Sequence, residues 1–257
     1  MNWGHVLLVG GLYVGVAVVL TLSGLYAVRR AVPHHILASH NDIAGFIYAT
    51  IALTYAVILG FVVVTVWEQY EEARDNVDRE ANSVADLYRL TAWFPETEQR
   101  PIRQALADYT HSVIDDEWDA MNRSAAPSAQ TAAALDHVWD LYRQAGQGPT
   151  EQSTAFDDSL DRLQELGDAR RVRLIESREG IPGILWLGLI AGAVLTVTFA
   201  YGFGVERGQS HAIMLATLAA SVALLLFLIS SLTYAFRGSV RVEPEPFQLV
   251  LRQFSVA

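Results

Sequence analysis

Four long stretches of this sequence contain no Asp, Glu or Arg, and Lys occurs nowhere in the chain. Each is longer than the roughly 20 residues that an α-helix needs to cross the hydrocarbon core of a bilayer. They cover residues 2–28, 43–67, 180–205 and 208–236. Charged residues make up only 18% of the chain, below the roughly 25% that is usual in soluble domains. The sequence therefore predicts an all-α membrane protein with four transmembrane helices.

Several classes of protein are excluded by the residues that are missing. The chain has no Cys, which excludes disulfides, thiolate nucleophiles and zinc-thiolate sites. The usual sequence motifs of hydrolases, metalloproteases and nucleotide-binding proteins are also missing. The net charge of −10 disfavours nucleic acid, which requires a basic surface on its partner. We therefore expect no enzyme activity, no cofactor and no nucleic-acid partner.

The distribution of arginine predicts the orientation in the membrane. Arg near the end of a span resists translocation, so the side that is richer in Arg faces the cytoplasm. The short connections 29–42 and 206–207 hold three arginines, whereas the opposite side holds nine near span ends or in the tail. This asymmetry predicts that both termini and residues 68–179 are cytoplasmic.

The predicted division of the chain follows from these spans. Residues 1–67 hold the first two transmembrane helices, 68–179 a helical cytoplasmic domain, 180–236 the other two helices, and 237–257 a cytoplasmic tail. No helix breaker ends the second span at Trp67, and apolar residues at three- and four-residue spacing continue to Pro95. We therefore predict one helix over about 43–93 that continues from the membrane into the cytoplasm.

The second span carries a polar stripe. Four of its side chains fall within about 60° of one another at 100° per residue, and two glutamates continue this face. In an oligomer, such a stripe lines a pore, with wet hydroxyls, an apolar constriction and a ring of glutamates at the exit. The alternative is that the hydroxyls bond to their own helix or to a neighbouring one. The candidate pore-lining residues are Thr50, Thr54, Phe61, Thr65, Glu68 and Glu72.

Histidines concentrate on the predicted outer side of the membrane. Imidazole titrates near neutral pH and binds metals, so this group is a candidate pH sensor or metal site at the mouth of a pore. The alternative is that these are hydrogen-bonded surface histidines. The candidates are His34, His35, His40 and His211, together with Asp42.

Charged runs in the insert receive simpler interpretations. Four arginines precede the third span, and anionic lipid headgroups are their expected partners: Arg170, Arg171, Arg173 and Arg178. The acidic run 115–117 lacks the spacing of a calcium-binding loop, so we expect a solvated helix face there.

Several short motifs, spread over most of the chain, resemble the bacterial bestrophin-like family. In the second helix these are His40, Asn41, Tyr55, Phe61, Trp67, Glu68, Tyr70, Ala73, Glu80 and Ala81. In the insert they are Leu87, Tyr88, Arg89, Tyr109, Val113, Glu117, Trp118 and Met121, and the tail segment 238–247 is also similar. One departure is that segment 232–236 lacks the Asp and Pro expected before Gly238.

The resemblance implies four spans with a helical insert, in the inner (plasma) membrane of a bacterium. The name of the family points to bestrophins, which are homopentameric anion channels with a pore-lining second span and a calcium-sensing acidic cluster. The tail here holds only Glu243 and Glu245, so calcium gating does not carry over.

Two hypotheses of function follow. The leading one is an oligomeric ion channel, a pentamer by family analogy, whose partners are the bilayer, further copies of the chain and a small inorganic ion of undetermined type. The alternative is a non-conducting, membrane-anchored helical scaffold or signalling module that binds a cytosolic partner through residues 68–179.

Overall fold

The computed structural model describes residues 3–33, 37–38, 40–147, 150, 153–238 and 240–254. Within these residues the chain is predominantly helical and contains no β-strand, which confirms the predicted all-α class. Four helices in the described part are long and apolar enough to cross a membrane: Gly4–Ala31, Asn41–Trp93, Gly183–Ala200 and Gly208–Leu232.

The helices follow one another with short connections. We number them α1 (Trp3–Ala31), α2 (Asn41–Leu90), α3 (Glu96–Ser112), α4 (Trp118–Ser124), α5 (Ala129–Ala145), α6 (Thr154–Glu176), α7 (Gly183–Ala200), α8 (Gly208–Leu232) and α9 (Glu245–Phe254). A 3₁₀ turn, Thr91–Trp93, follows α2, and a π-helical turn, Val113–Glu117, joins α3 to α4. The predicted helix over about 43–93 is confirmed, because α2 and the 3₁₀ turn together cover Asn41–Trp93.

Local signals place several of these ends. Ser128 caps α5 by accepting a hydrogen bond from the Thr131 amide, and Ser153 caps α6 by accepting one from the Phe156 amide. The 3₁₀ turn after α2 ends at Trp93. The next residue, Phe94, precedes Pro95, and a residue before a proline disfavours helical geometry.

The chain divides into two compact units. Residues Met1–Glu68 and Ile181–Thr233 form one, which we call the span unit. Residues Gln69–Gly180 and Tyr234–Ala257 form the other, which we call the insert unit. The segment expected to be a separate tail is thus part of the insert unit, where Phe247 and Val250 of α9 are buried.

In the span unit, α1 packs along α8 and α2 packs on α7. Leu25, Ala200 and Leu215 form a small buried cluster between these helices. The Tyr55 hydroxyl of α2 donates a hydrogen bond to the Leu189 carbonyl at 2.9 Å. A Cβ on Gly192 would clash with the Tyr55 ring, so α2 and α7 approach each other closely because this position carries no side chain.

In the insert unit, apolar side chains from α2, α3, α5 and α6 share one core. Val84, Leu106, Val138 and Leu163 are fully buried there. The Trp118 indole donates to the Val242 carbonyl at 3.1 Å and packs edge-on against the Phe247 ring, with ring centroids 5.8 Å apart. These contacts fix the C-terminal segment to the insert.

Candidate pore face and a buried charge network

The polar stripe of α2 points away from the rest of its own chain. All six of its residues are exposed, and the ring of Phe61 is 71% exposed. On the opposite side of the helix, Tyr55, Leu59 and Val66 are buried. Exposed apolar side chains, such as Leu7, and exposed hydroxyls, such as those of Thr217 and Ser221 in α8, also occur elsewhere in the span unit. The α2 stripe differs from them because two exposed glutamates continue it.

The threonine hydroxyls of this stripe donate to their own helix, which is the bonding that the alternative to a pore lining predicts. Thr54 donates to the carbonyl of Thr50 at 2.9 Å, and Thr65 donates to that of Phe61 at 3.0 Å. Thr50 makes the same type of bond to Phe46 at 3.3 Å. Because each hydroxyl proton is used in this way, the oxygens present lone pairs to their surroundings.

The histidine candidates do not form one cluster in the described part of the chain. His34 and His35 lie outside the described residues, and His40 and Asp42 are exposed near the start of α2. The prediction that His211 lies at an open mouth is wrong, because its ring is 4% exposed and its Nε2 lies 3.2 Å from the Ala200 carbonyl. The described residues contain no group of three or more His, Asp or Glu suited to a metal ion.

The prediction of a lipid headgroup at Arg173 is also wrong. Its side chain is completely buried, and its Nε donates to Glu80 at 2.6 Å while its Nη2 donates to Glu117 at 2.7 Å. Arg170 is bound to both carboxylate oxygens of the same Glu117. Burial and pairing therefore remove both guanidinium groups from contact with lipid.

The other two arginines of that group have different surroundings. The Nε of Arg178 donates to the Ala125 carbonyl at 3.0 Å. Arg171 is 72% exposed and lies 3.0 Å from Asp168, so for this residue a headgroup contact stays a prediction.

The expected solvated face at 115–117 is correct for Asp115 and wrong for Glu117. Asp115 is exposed, whereas Glu117 is fully buried at the end of the π-helical turn. Such a turn carries one residue more than an α-helical turn and changes the directions of the side chains that follow. Burial alone raises the pKa of a carboxyl group, but Arg173 and Arg170 hold the pKa of Glu117 below its usual value.

Glu80, Glu117, Arg170 and Arg173 form a cluster that we call the buried charge network. Tyr109 and Trp118 pack against it. The Tyr109 hydroxyl donates to Glu80 at 2.7 Å, and burial, followed by the charge of Glu80, raises the pKa of Tyr109 well above its usual value. The Trp118 ring lies 5.0 Å from the Arg173 guanidinium. Two carboxylates and two guanidiniums balance in charge, so the network is a neutral, hydrogen-bonded core.

The buried charge network was not predicted, although the sequence contains two signals for it. Glu80 lies on the face of α2 that buries Ala73, Val77 and Val84, and Arg173 follows Leu166 and Ala169 on the buried face of α6. A charge at apolar helical spacing places a charged group on the buried face of its helix, although it does not identify the partner. Residues that carry the family resemblance in the insert, such as Tyr109, Glu117 and Trp118, therefore build its core.

A second carboxylate with an altered pKa lies at the end of α6. Glu176 accepts a hydrogen bond from the buried Asn76 amide at 3.4 Å, and that amide also donates to the Ala169 carbonyl at 2.9 Å. Burial and the nearby charge of Glu72 raise the pKa of Glu176 to about 7.

This shift predicts that the protein loses stability as the pH rises. Between the unfolded pKa near 4.5 and the folded pKa of about 7, the folded protein keeps a proton that the unfolded chain has lost. The free energy of unfolding therefore falls over this range and stays low above it. Gln at position 176 has no charge, so Glu176→Gln should have a higher Tm than the wild type at about pH 8 and a nearly equal one at about pH 4.

The control for this measurement is Glu165→Gln, which removes an exposed carboxylate from the same helix. It should leave the pH dependence of Tm as it is in the wild type. If Glu176→Gln follows the same pH curve as the wild type, Glu176 does not titrate in the neutral range.

The comparisons with known proteins agree with this architecture. A profile of the bestrophin-like domain matches residues 15–247. No curated protein matches the sequence. Among solved structures, a variant of the bacterial bestrophin homologue from Klebsiella pneumoniae superimposes with a TM-score of 0.74 at 12% identity, over 94% of this chain and 97% of that one.

A second structure of the Klebsiella pneumoniae homologue, solved by zinc phasing, has a TM-score of 0.72 at 12% identity, with 93% of this chain and 96% of that chain covered. At 12% identity, the structural similarity shows that the two proteins share a fold. The family match covers most of the sequence and agrees with the resemblance carried by the motifs. The chain belongs to the bestrophin-like family.

Proposed function

We propose that this protein is an oligomeric ion channel of the bacterial inner membrane whose pore is lined by the polar stripe of α2. The observation that carries the proposal is a row of exposed hydroxyls and one exposed aromatic ring on an otherwise apolar span, continued by two exposed glutamates. Each hydroxyl already donates to a carbonyl of its own helix, so its proton does not require water. What favours a pore is that the stripe is uncovered and continues into two glutamates, whose charges need water, and a water-filled axis supplies it.

An oligomer is required because one stripe covers only about 60° of a helix surface. Several copies arranged around an axis bring their stripes together and close a pore by symmetry. Bestrophins suggest a pentamer by analogy. The excess of arginine on the insert side supports a cytoplasmic position for the insert and for both termini.

The chemistry of the stripe favours cations. The threonine oxygens offer lone pairs, since their protons are used within the helix. Glu68 and Glu72 are exposed further along the same helix. In an oligomer the two glutamates form two rings of negative charge, which attract cations and repel anions.

The experiment is a recording from purified protein in planar bilayers under an asymmetric KCl gradient. We expect a reversal potential close to the potassium equilibrium value. The double variant Glu68→Gln, Glu72→Gln should move the reversal potential toward zero, because it removes two rings of charge. Glu165→Gln, which lies outside the proposed stripe, should leave it unchanged.

Other results would count against parts of the proposal. A reversal potential near the chloride value contradicts cation selectivity and places the glutamates off the ion path. Silence at all tested pH values, calcium concentrations and voltages contradicts conduction and supports the membrane-anchored scaffold.

A further inference from the structure

The span unit contains a cavity that the pore proposal does not use. It has a volume of about 470 Å³ and lies beside the last turn of α1 and the first turn of α8. Arg29 and Arg30 line one part of it, and Leu22, Leu25 and Ala212 line another. A cavity that combines two guanidinium groups with an apolar wall suits an anionic, amphipathic ligand.

Arg29 has hydrogen-bonding capacity that the described part of its chain does not use. Its Nη2 donates to the Val205 carbonyl at 3.1 Å, which fixes the guanidinium beside the start of α8. Its Nη1 is buried and has no hydrogen-bond partner among the described residues. A buried charged donor without a partner costs free energy, so such a group indicates a missing acceptor.

No carboxylate neutralises this charge in the described part of the chain. None of the ion pairs found there includes Arg29 or Arg30. The two positive charges therefore act on whatever occupies the cavity.

The start of α8 adds amide donors to the same place. Its N-cap residue, Arg207, makes no side-chain cap, and its first turn contains no acidic residue. The first amides of a helix have no partner within the helix and favour an anion. A Cβ on Gly208 would lie 3.2 Å from Arg29 Nη1, so the lack of a side chain there lets the guanidinium pack directly against the start of α8.

We propose that this cavity binds a phosphate group between the guanidinium groups of Arg29 and Arg30 and the amides at the start of α8. Guanidinium forms paired hydrogen bonds with phosphate oxygens, and phosphate supplies the acceptor that Arg29 Nη1 lacks. The phosphate comes from an anionic phospholipid or from a soluble phosphate. The apolar wall at Leu22, Leu25 and Ala212 favours the phospholipid, because it offers a surface for a hydrocarbon chain.

The test is a lipid titration of the purified full-length protein in detergent, followed by native mass spectrometry. The probes are dioleoyl phosphatidylglycerol and dioleoylglycerol, which has the same chains without the phosphate. Phosphatidylglycerol should bind saturably, and dioleoylglycerol should not. The double variant Arg29→Gln, Arg30→Gln should weaken phosphatidylglycerol binding by about tenfold or more, since charge-assisted hydrogen bonds are lost.

Competition distinguishes the two sources of phosphate. If inorganic phosphate displaces phosphatidylglycerol, the site recognises phosphate alone and a soluble ligand is supported. If it does not, the apolar wall contributes and the phospholipid is supported.

Two further variants keep the result interpretable. Arg29 also donates to the Val205 carbonyl, so its replacement affects the fold as well as the cavity. Arg30→Gln alone should fold normally and should still weaken the binding of phosphatidylglycerol severalfold. Arg143→Gln changes an exposed arginine of the insert unit and should leave the affinity unchanged. Wild-type affinity in Arg30→Gln and in the double variant, or equal binding of dioleoylglycerol, would overturn the proposal.

Discussion

Replacement of Arg173 by methionine should lower the free energy of unfolding by about 3–5 kcal/mol. Methionine has a similar length but no charge, so Glu80 and Glu117 lose the guanidinium that both of them bind. Arg170 still pairs with Glu117, whereas among the described residues Glu80 keeps only the Tyr109 hydroxyl. A buried carboxylate without a cation must then be protonated or force the core to open.

Guanidinium chloride unfolding of the full-length protein, followed by tryptophan fluorescence, measures this loss. Trp118 lies on Arg173 and reports directly on this part of the core. Arg171→Met is the matched control in the same helix, because its side chain is 72% exposed, and an exposed pair is worth about 1 kcal/mol or less. Equal effects of the two variants would contradict a structural role for the network.

The fold class, the four spans and the extent of α2 were predictable because their signals are local. A span is a run of apolar residues, and a helix continues until a breaker ends it. The continuity of α2 through Trp67 follows from the absence of any breaker in the segment. Each of these properties is set by residues within a few turns of one another.

The charge network was not predictable in the same way because its members are distant in the sequence. Arg173 is separated from Glu117 by 56 residues and from Glu80 by 93. A single charged residue looks solvated or lipid-bound until the fold brings its partner to it. The π-helical turn that directs Glu117 inward also has no clear sequence signature.

The polar stripe falls between these cases. Its position on one face of α2 follows from helical periodicity alone, and the structure leaves that face uncovered by the rest of the chain. The single chain does not determine whether lipid or a further copy of the chain lies opposite the stripe. The stripe therefore needs a functional test, and Phe61 is its most informative residue.

Phe61→Ala should raise the unitary conductance by about twofold or more, because it removes the apolar ring that narrows the proposed pore. The ring is 71% exposed in the chain, so its loss leaves the packing within the chain almost unchanged. Single-channel recording in planar bilayers measures the effect, and size-exclusion chromatography checks that the oligomer is intact.

The matched control is Leu187→Ala, which removes a 65% exposed apolar side chain from α7. A Leu187 side chain that faces lipid can be removed without a change in conductance. Removal of Phe61, in contrast, widens the narrowest part of the proposed pore in every subunit at once. The two variants lose similar apolar surface, so a general effect of membrane packing changes both in the same way. Equal and unchanged conductance in both would mean that Phe61 also faces lipid, and the polar stripe would then have to be removed from the ion path.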